Sequence, residues 1–169
     1  MHALSATIDR VIRFIGQCAS VGILLMTLIT FVVVVLRYGF GTGWIALQES
    51  VMYLHALVFM LGAAYTLRDD GHVRVDIFYR KFSEKQQAMV NIAGTLLLLF
   101  PVCIFIFAMS WDYVMKSWQL LESSKEAGGL PLVFVLKSLI PAFCALMLLQ
   151  GVSDLIRYAA VITQRKEST

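Results

Sequence analysis

The chain has 169 residues, 59% of them hydrophobic and 15% charged, with a mean hydropathy of +0.78. Soluble domains hold about 45–50% apolar and about 25% charged residues, and a globule of this size has too little interior to hide the excess. Composition therefore excludes a soluble globule and a disordered chain, and the net charge of +3 is no footprint of nucleic-acid binding.

A bilayer-spanning helix needs about 20 mainly apolar residues. Runs of that kind predict spans at about 14–36, 46–67, 86–110 and 131–152. In lipid each must be a helix, because only a helix satisfies its own backbone within one segment. The expected fold is an all-α integral membrane protein, one domain over 1–169 with four transmembrane helices and both termini cytoplasmic.

The first run is preceded by Arg10 and Arg13, as in a signal peptide. Its apolar stretch exceeds the usual 7–15 residues and no A-x-A follows, so it reads as a retained anchor. Gly16, Ser20, Thr27 and Thr30 recur at helical spacing, which predicts a small-residue packing face. Arg37 and Tyr38 close this span. A short connection with Trp44 leads to Glu49, early in the second span. An Arg37–Glu49 ion pair clamping this hairpin is the expected arrangement. Gln48, His55 and Gly62 are seven apart on one face of the second span, which predicts a helix–helix hydrogen bond at His55.

Residues 68–76 form the richest polar stretch. His72 and Asp76 suggest a metal pair, but Val73, Val75 and Ile77 alternate and so oppose a helix that would bring the two together. Arg68, Arg74 and Arg80 would repel a cation, and loop salt bridges are expected instead. Ser83-Glu84-Lys85-Gln86 has capping-box spacing and places the next helix start just after Ser83. Pro101 and Pro141 sit mid-span and predict kinks. Between spans three and four, residues 123–131 carry Lys125, Glu126, Gly128, Gly129 and Pro131. The glycines free the backbone and the proline starts the fourth helix. Lys137 lies within that helix, where its stem reaches the interface or an acidic partner.

Loop charges orient the chain. Ten Lys and Arg residues fall in the N-terminal segment, the 68–85 connection and the C-terminal segment. The opposite side has Arg37, Lys116 and Lys125, so the positive-inside rule places both termini in the cytoplasm. Trp44, Trp111 and Trp118 fall at the outer ends of spans, where indoles favour the interface. Cys18, Cys103 and Cys144 lie within apolar runs and read as buried, unreactive side chains. No nucleophile with a base, no carboxylate pair and no phosphate loop is visible, so neither an enzyme nor a cofactor site is expected. No internal repeat marks a self-contained transporter.

Arg37-Tyr38, Trp44 and Glu49 are followed by Leu61-Gly62-Ala63-Ala64 leading to Arg68, then by His72-Val73-Arg74-Val75-Asp76. Next come Ser124-Lys125-Glu126-Ala127-Gly128-Gly129-Leu130-Pro131, Lys137, Pro141 and Gln150. In this order and spacing, over about 10–157, the chain resembles the small, DctQ-like membrane subunit of tripartite ATP-independent periplasmic (TRAP) transporters. One departure is Gln48, where members often carry a second acidic residue. The resemblance implies sodium-coupled uptake of an organic acid across the bacterial inner membrane. It implies three partners: a large DctM-like membrane subunit, a periplasmic substrate-binding protein and membrane lipids. It also implies that Lys125 and Glu126 lie in a loop that meets a partner. The competing class is an independent four-span protein, a small homo-oligomeric exporter or a membrane enzyme, which genomic neighbours would discriminate.

Overall fold

The computed structural model describes residues 2–73, 77 and 79–164. Among them the chain is all helical. Helix α1 (His2–Gly39) and α2 (Ile45–Arg68) form the first hairpin. A single 3-10 turn (Tyr79–Lys81) precedes α3 (Glu84–Gly94), which passes through a π turn (Thr95–Leu99) into α4 (Phe100–Gln119). Helix α5 (Val133–Gln164) completes the bundle. Four helical stretches are long and apolar enough to cross a membrane, with α3, the π turn and α4 counting as one over Glu84–Gln119.

Two helices outrun their apolar stretches. At 1.5 Å per residue, α1 with 38 residues is about 57 Å long, against about 30 Å of hydrocarbon. Helix α5 has 32 residues and runs on to Gln164. Both excess lengths lie at the end of the bundle that holds the termini (the terminal end). Hydropathy sees only the membrane-embedded part; the polar turns continue because they find partners there.

Packing follows the rules of a membrane interior, where lipid removes the hydrophobic drive and close approach matters most. Helix α5 touches α1, α2, α3 and α4, and α1 also lies along α2. The face that α1 presents is Ile12, Gly16, Ala19 and Gly22, all buried. A methyl group added at Gly16 would lie 2.5 Å from the Tyr65 ring, and one at Gly22 would lie 2.7 Å from Val58. Gly16 belongs to the face that the sequence predicts, but Ser20, Thr27 and Thr30 point outward. Each donates its hydroxyl to a carbonyl of its own helix, Gln17, Ile23 and Met26 respectively. A hydroxyl that can close onto its own backbone needs no neighbour, which is why these positions tolerate lipid. Cys103 and Cys144 are buried as expected, whereas Cys18 is exposed.

The sequence places the third helix start after Ser83, and that cap is present. The Gln86 side chain accepts from the Ser83 N–H at 2.9 Å, and the Gln86 N–H reaches the Ser83 hydroxyl at 3.4 Å. Pro101 has no N–H, and its ring crowds the carbonyl of Leu97, four residues earlier. The π turn at Thr95–Leu99 stands where that crowding falls. Pro141 is contained within α5 without a break in the helix. Pro131 does not start the fourth helix; the first helical residue is Val133.

Candidate functional site: polar clasps at the two ends of the bundle

Two clusters of hydrogen-bonded polar side chains stand at the two ends of the bundle. At the end opposite the termini (the distal end), Glu49 lies early in α2. One oxygen of its carboxylate accepts the Ser124 hydroxyl, and the other accepts the Leu130 N–H at 2.6 Å. Ser124 in turn bonds Leu130 through its own N–H (3.1 Å) and accepts the Glu126 N–H on its hydroxyl (3.1 Å). Gly128 takes a positive φ of 80° and Gly129 approaches so closely that an added methyl would lie 2.9 Å from Glu49 and 2.5 Å from Ser124. The 123–131 connection is therefore folded around the Glu49 carboxylate.

This replaces the expected Arg37–Glu49 clamp. Both carboxylate oxygens of Glu49 are taken by the other connection, and Arg37, Tyr38 and Trp44 are exposed on the rim of the first. Lys125 and Glu126 are exposed at the tip of the second.

Beside it, Glu122 closes the exit of α4. Its carboxylate accepts the Lys137 ammonium (2.5 Å) and the Ser117 hydroxyl (2.6 Å). The ammonium, and after it the hydroxyl, hold the Glu122 carboxyl below the usual glutamate range. Lys137 also sits 3.9 Å from the centre of the Tyr113 ring, a cation–π contact. Nearby, the Trp118 indole N–H donates to Ser138 at 2.7 Å, and its ring meets Phe134 edge-on at 4.7 Å. Glu122 reaches this position through Leu121, a leucine with φ of 45°. The Glu122 N–H returns to Ser117 O and the Leu121 N–H to Trp118 O, the two bonds of a Schellman cap, in which glycine is usual.

The second cluster joins α1 to α5 at the terminal end, and sequence reasoning missed it. The Ser5 and Ser153 hydroxyls share a hydrogen bond of 2.7 Å, and Ser153 donates to Asp9 at 2.7 Å. Gln150, fully buried, donates to Asp154 (2.9 Å) and to Asp9 (3.3 Å). Arg157 bridges the two carboxylates, at 3.5 Å from Asp9 and in contact with Asp154. Buried charges persist only when paired and hydrogen-bonded, and here each acid has the shared guanidinium. The available signal was the pairing of periods: Ser5 and Asp9 are one helical turn apart, as are Gln150 and Asp154.

Two other expectations end differently. His55 is exposed on the outer face of α2, its ring stacked on Phe59 at 6.3 Å, and makes no hydrogen bond within the described residues. His72 is exposed beyond the end of α2. Asp76, its proposed companion, lies outside the described residues, as does Arg74. Arg68 pairs with Asp69 at 2.8 Å.

These clusters tie helices together and leave their carboxylates occupied, which suits a scaffold. The family model for the DctQ component of tripartite ATP-independent periplasmic transporters matches residues 26–160. The chain belongs to this family. A Haemophilus influenzae (strain ATCC 51907 / DSM 11121 / KW20 / Rd) protein that carries the name of a TRAP transporter small permease is 30% identical over 111 residues. That alignment covers 66% of each chain, so the chain spans just under two thirds of that relative's length. No solved structure matches it. Membership makes the chain a transporter component rather than an enzyme, and a multi-pass protein of the bacterial inner membrane.

Proposed function

We propose that the chain is the small membrane subunit of a sodium-coupled TRAP transporter, packing on a large DctM-like permease subunit. The transporter takes up an organic acid delivered by a periplasmic binding protein. The observation that carries this reading is the occupation of the carboxylates in the two clusters. Asp9, Glu49, Glu122 and Asp154 are each engaged by neighbours within the bundle. A conduit would need such groups open to an anion or to sodium. A second observation supports the large partner: His55, about ten residues into α2, faces out of the bundle at mid-span depth. A polar ring in that position is costly against acyl chains and is relieved by a facing helix.

The loop charges support cytoplasmic termini, with Lys125 and Glu126 on the periplasmic tip, where they meet the large subunit or the docked binding protein. Cysteines at Ala127 and Lys85 should react oppositely with an impermeant thiol reagent on whole cells, Ala127 from outside. Labelling of Lys85 alone overturns the orientation. For the function, the chain is expressed with a DctM-like permease and a periplasmic binding protein, which this reading expects to be encoded beside it. Copurification with the permease, and sodium-dependent uptake lost without this chain, is the expected result. A permease that does not copurify with the chain, or that transports equally well without it, overturns it.

A further inference from the structure

Along α2, His55, Phe59, Gly62 and Thr66 recur at spacings of three and four residues and share one face. The last three line a groove on the outer side of the α1–α2 seam, together with Ser20 and Ile23 of α1. The polar groups of the groove are closed onto their own helices, the Ser20 hydroxyl onto the Gln17 carbonyl and the Thr66 hydroxyl onto the Gly62 carbonyl. His55 differs. It is exposed, its ring stacks on Phe59, and it makes no hydrogen bond among the described residues.

Depth makes that vacancy costly. His55 stands about 15 Å from the start of α2 and about 20 Å from its end, in the middle of about 30 Å of hydrocarbon. An acyl chain offers an imidazole no hydrogen bond, and ionisable side chains at such depth pair with another polar group. The partner must therefore stand on a second protein helix at the same level. Gly62, two turns further along the same face, adds a statement about shape. Glycine is a poor helix former, and a methyl added here would meet nothing within 4 Å, so no contact within the chain requires it. In membrane helices a small residue admits the close approach of another backbone.

A second copy of the chain fits this face poorly. An isologous pair sets one patch against itself, and two grooves face to face leave the space over Gly62 empty. A single convex helix fills it. We propose that this face of α2, resting on the permease partner proposed for the chain, is where a transmembrane helix of the large permease docks. A ridge side chain of that helix lies over Gly62, and a hydroxyl, amide or carboxyl group bonds His55 at mid-bilayer.

Copurification of the permease with tagged variants of the full chain, in mild detergent, tests the docking face. His55→Leu should lower the retained permease about three- to tenfold, the range expected for an interhelical hydrogen bond in a membrane. His55→Gln, which still bonds, should lower it less. Gly62→Leu should lower it at least tenfold, with the lone chain melting no lower than wild type. Met109→Phe, on the exposed side of α4, should change nothing. A photo-crosslinker at residue 59 should capture the permease in native membranes. Retention by His55→Leu or Gly62→Leu equal to wild type, or a crosslink to a second copy or to lipid alone, overturns the docking face and leaves the partner standing. A wild type that retains no permease overturns the partner, and the face with it.

Discussion

The carboxylate of Glu49 accepts the backbone N–H of Leu130, 81 residues further along the chain, at 2.6 Å. A side chain at the start of one hairpin thus supplies the acceptor that a different connection lacks. The two hairpins are locked together at the distal end by a hydrogen bond to main chain, which any residue but proline can supply at position 130. Because the acceptor is ionised, the bond belongs to the stronger class.

Glu49→Ala removes both acceptors and leaves the Leu130 N–H without a partner. It should raise the rate of protease cleavage in the 123–131 connection several-fold, while Glu49→Gln, which keeps one carbonyl oxygen, should raise it less. Equal rates in the two variants would mean that the connection is held by something else.

Glu122 gives a pH dependence of definite sign. Its carboxyl is held below the ordinary value by Lys137, then Ser117. The stabilisation is complete above the unfolded value of about 4.3 and is lost as pH falls through the lower folded value. Melting curves of wild type and Glu122→Gln should differ at pH 6 and converge only as pH falls through the lowered folded value; a constant gap would show that ionisation plays no part.

Gly16 and Gly62 should separate close approach from helix propensity. Gly16→Val drives a side chain into the Tyr65 ring and should cost about 1–3 kcal/mol. Gly62→Ala meets nothing within 4 Å and should be neutral or gain up to about 1 kcal/mol. Denaturation in detergent measures both.

Leu121 holds a left-handed backbone at 63% exposure, so its side chain returns little in burial. Leu121→Gly relieves about 1–2 kcal/mol of local strain, less the greater chain entropy of glycine, for a net gain of about 0.5–1 kcal/mol. A lower melting temperature would contradict this.

Gln150→Ala strips donors from two carboxylates in a fully buried position and should destabilise by about 1–3 kcal/mol. Gln150→Glu, which adds a third acid there, should be worse than alanine.

The four membrane helices were legible because hydropathy and length report the solvent, and a bilayer is a strong filter. The Ser83 cap was legible because it is made within four residues. What escaped the sequence was long-range choice. Glu49 had a basic residue twelve positions away and took a serine and a main-chain amide instead, because the fold, and not the spacing, brings the 123–131 connection to it. The Ser5–Ser153 and Asp9–Arg157 contacts join the two ends of the chain, beyond any local pattern. The outward turn of Ser20, Thr27 and Thr30 was hidden because a hydroxyl bonded to its own helix looks, in sequence, like one reserved for a neighbour.

Helix α5 is the element that touches every other helix, and it is synthesised last. Until it enters the bilayer, the α1–α2 hairpin and the α3–α4 rod have little hold on each other. Gln150 and Ser153, which meet α1, leave the ribosome only after the other three membrane helices have been made. Assembly is therefore completed by a closing step, and a nascent chain halted before α5 lacks the helix that packs the α1–α2 hairpin against the α3–α4 rod, a natural substrate of membrane quality control.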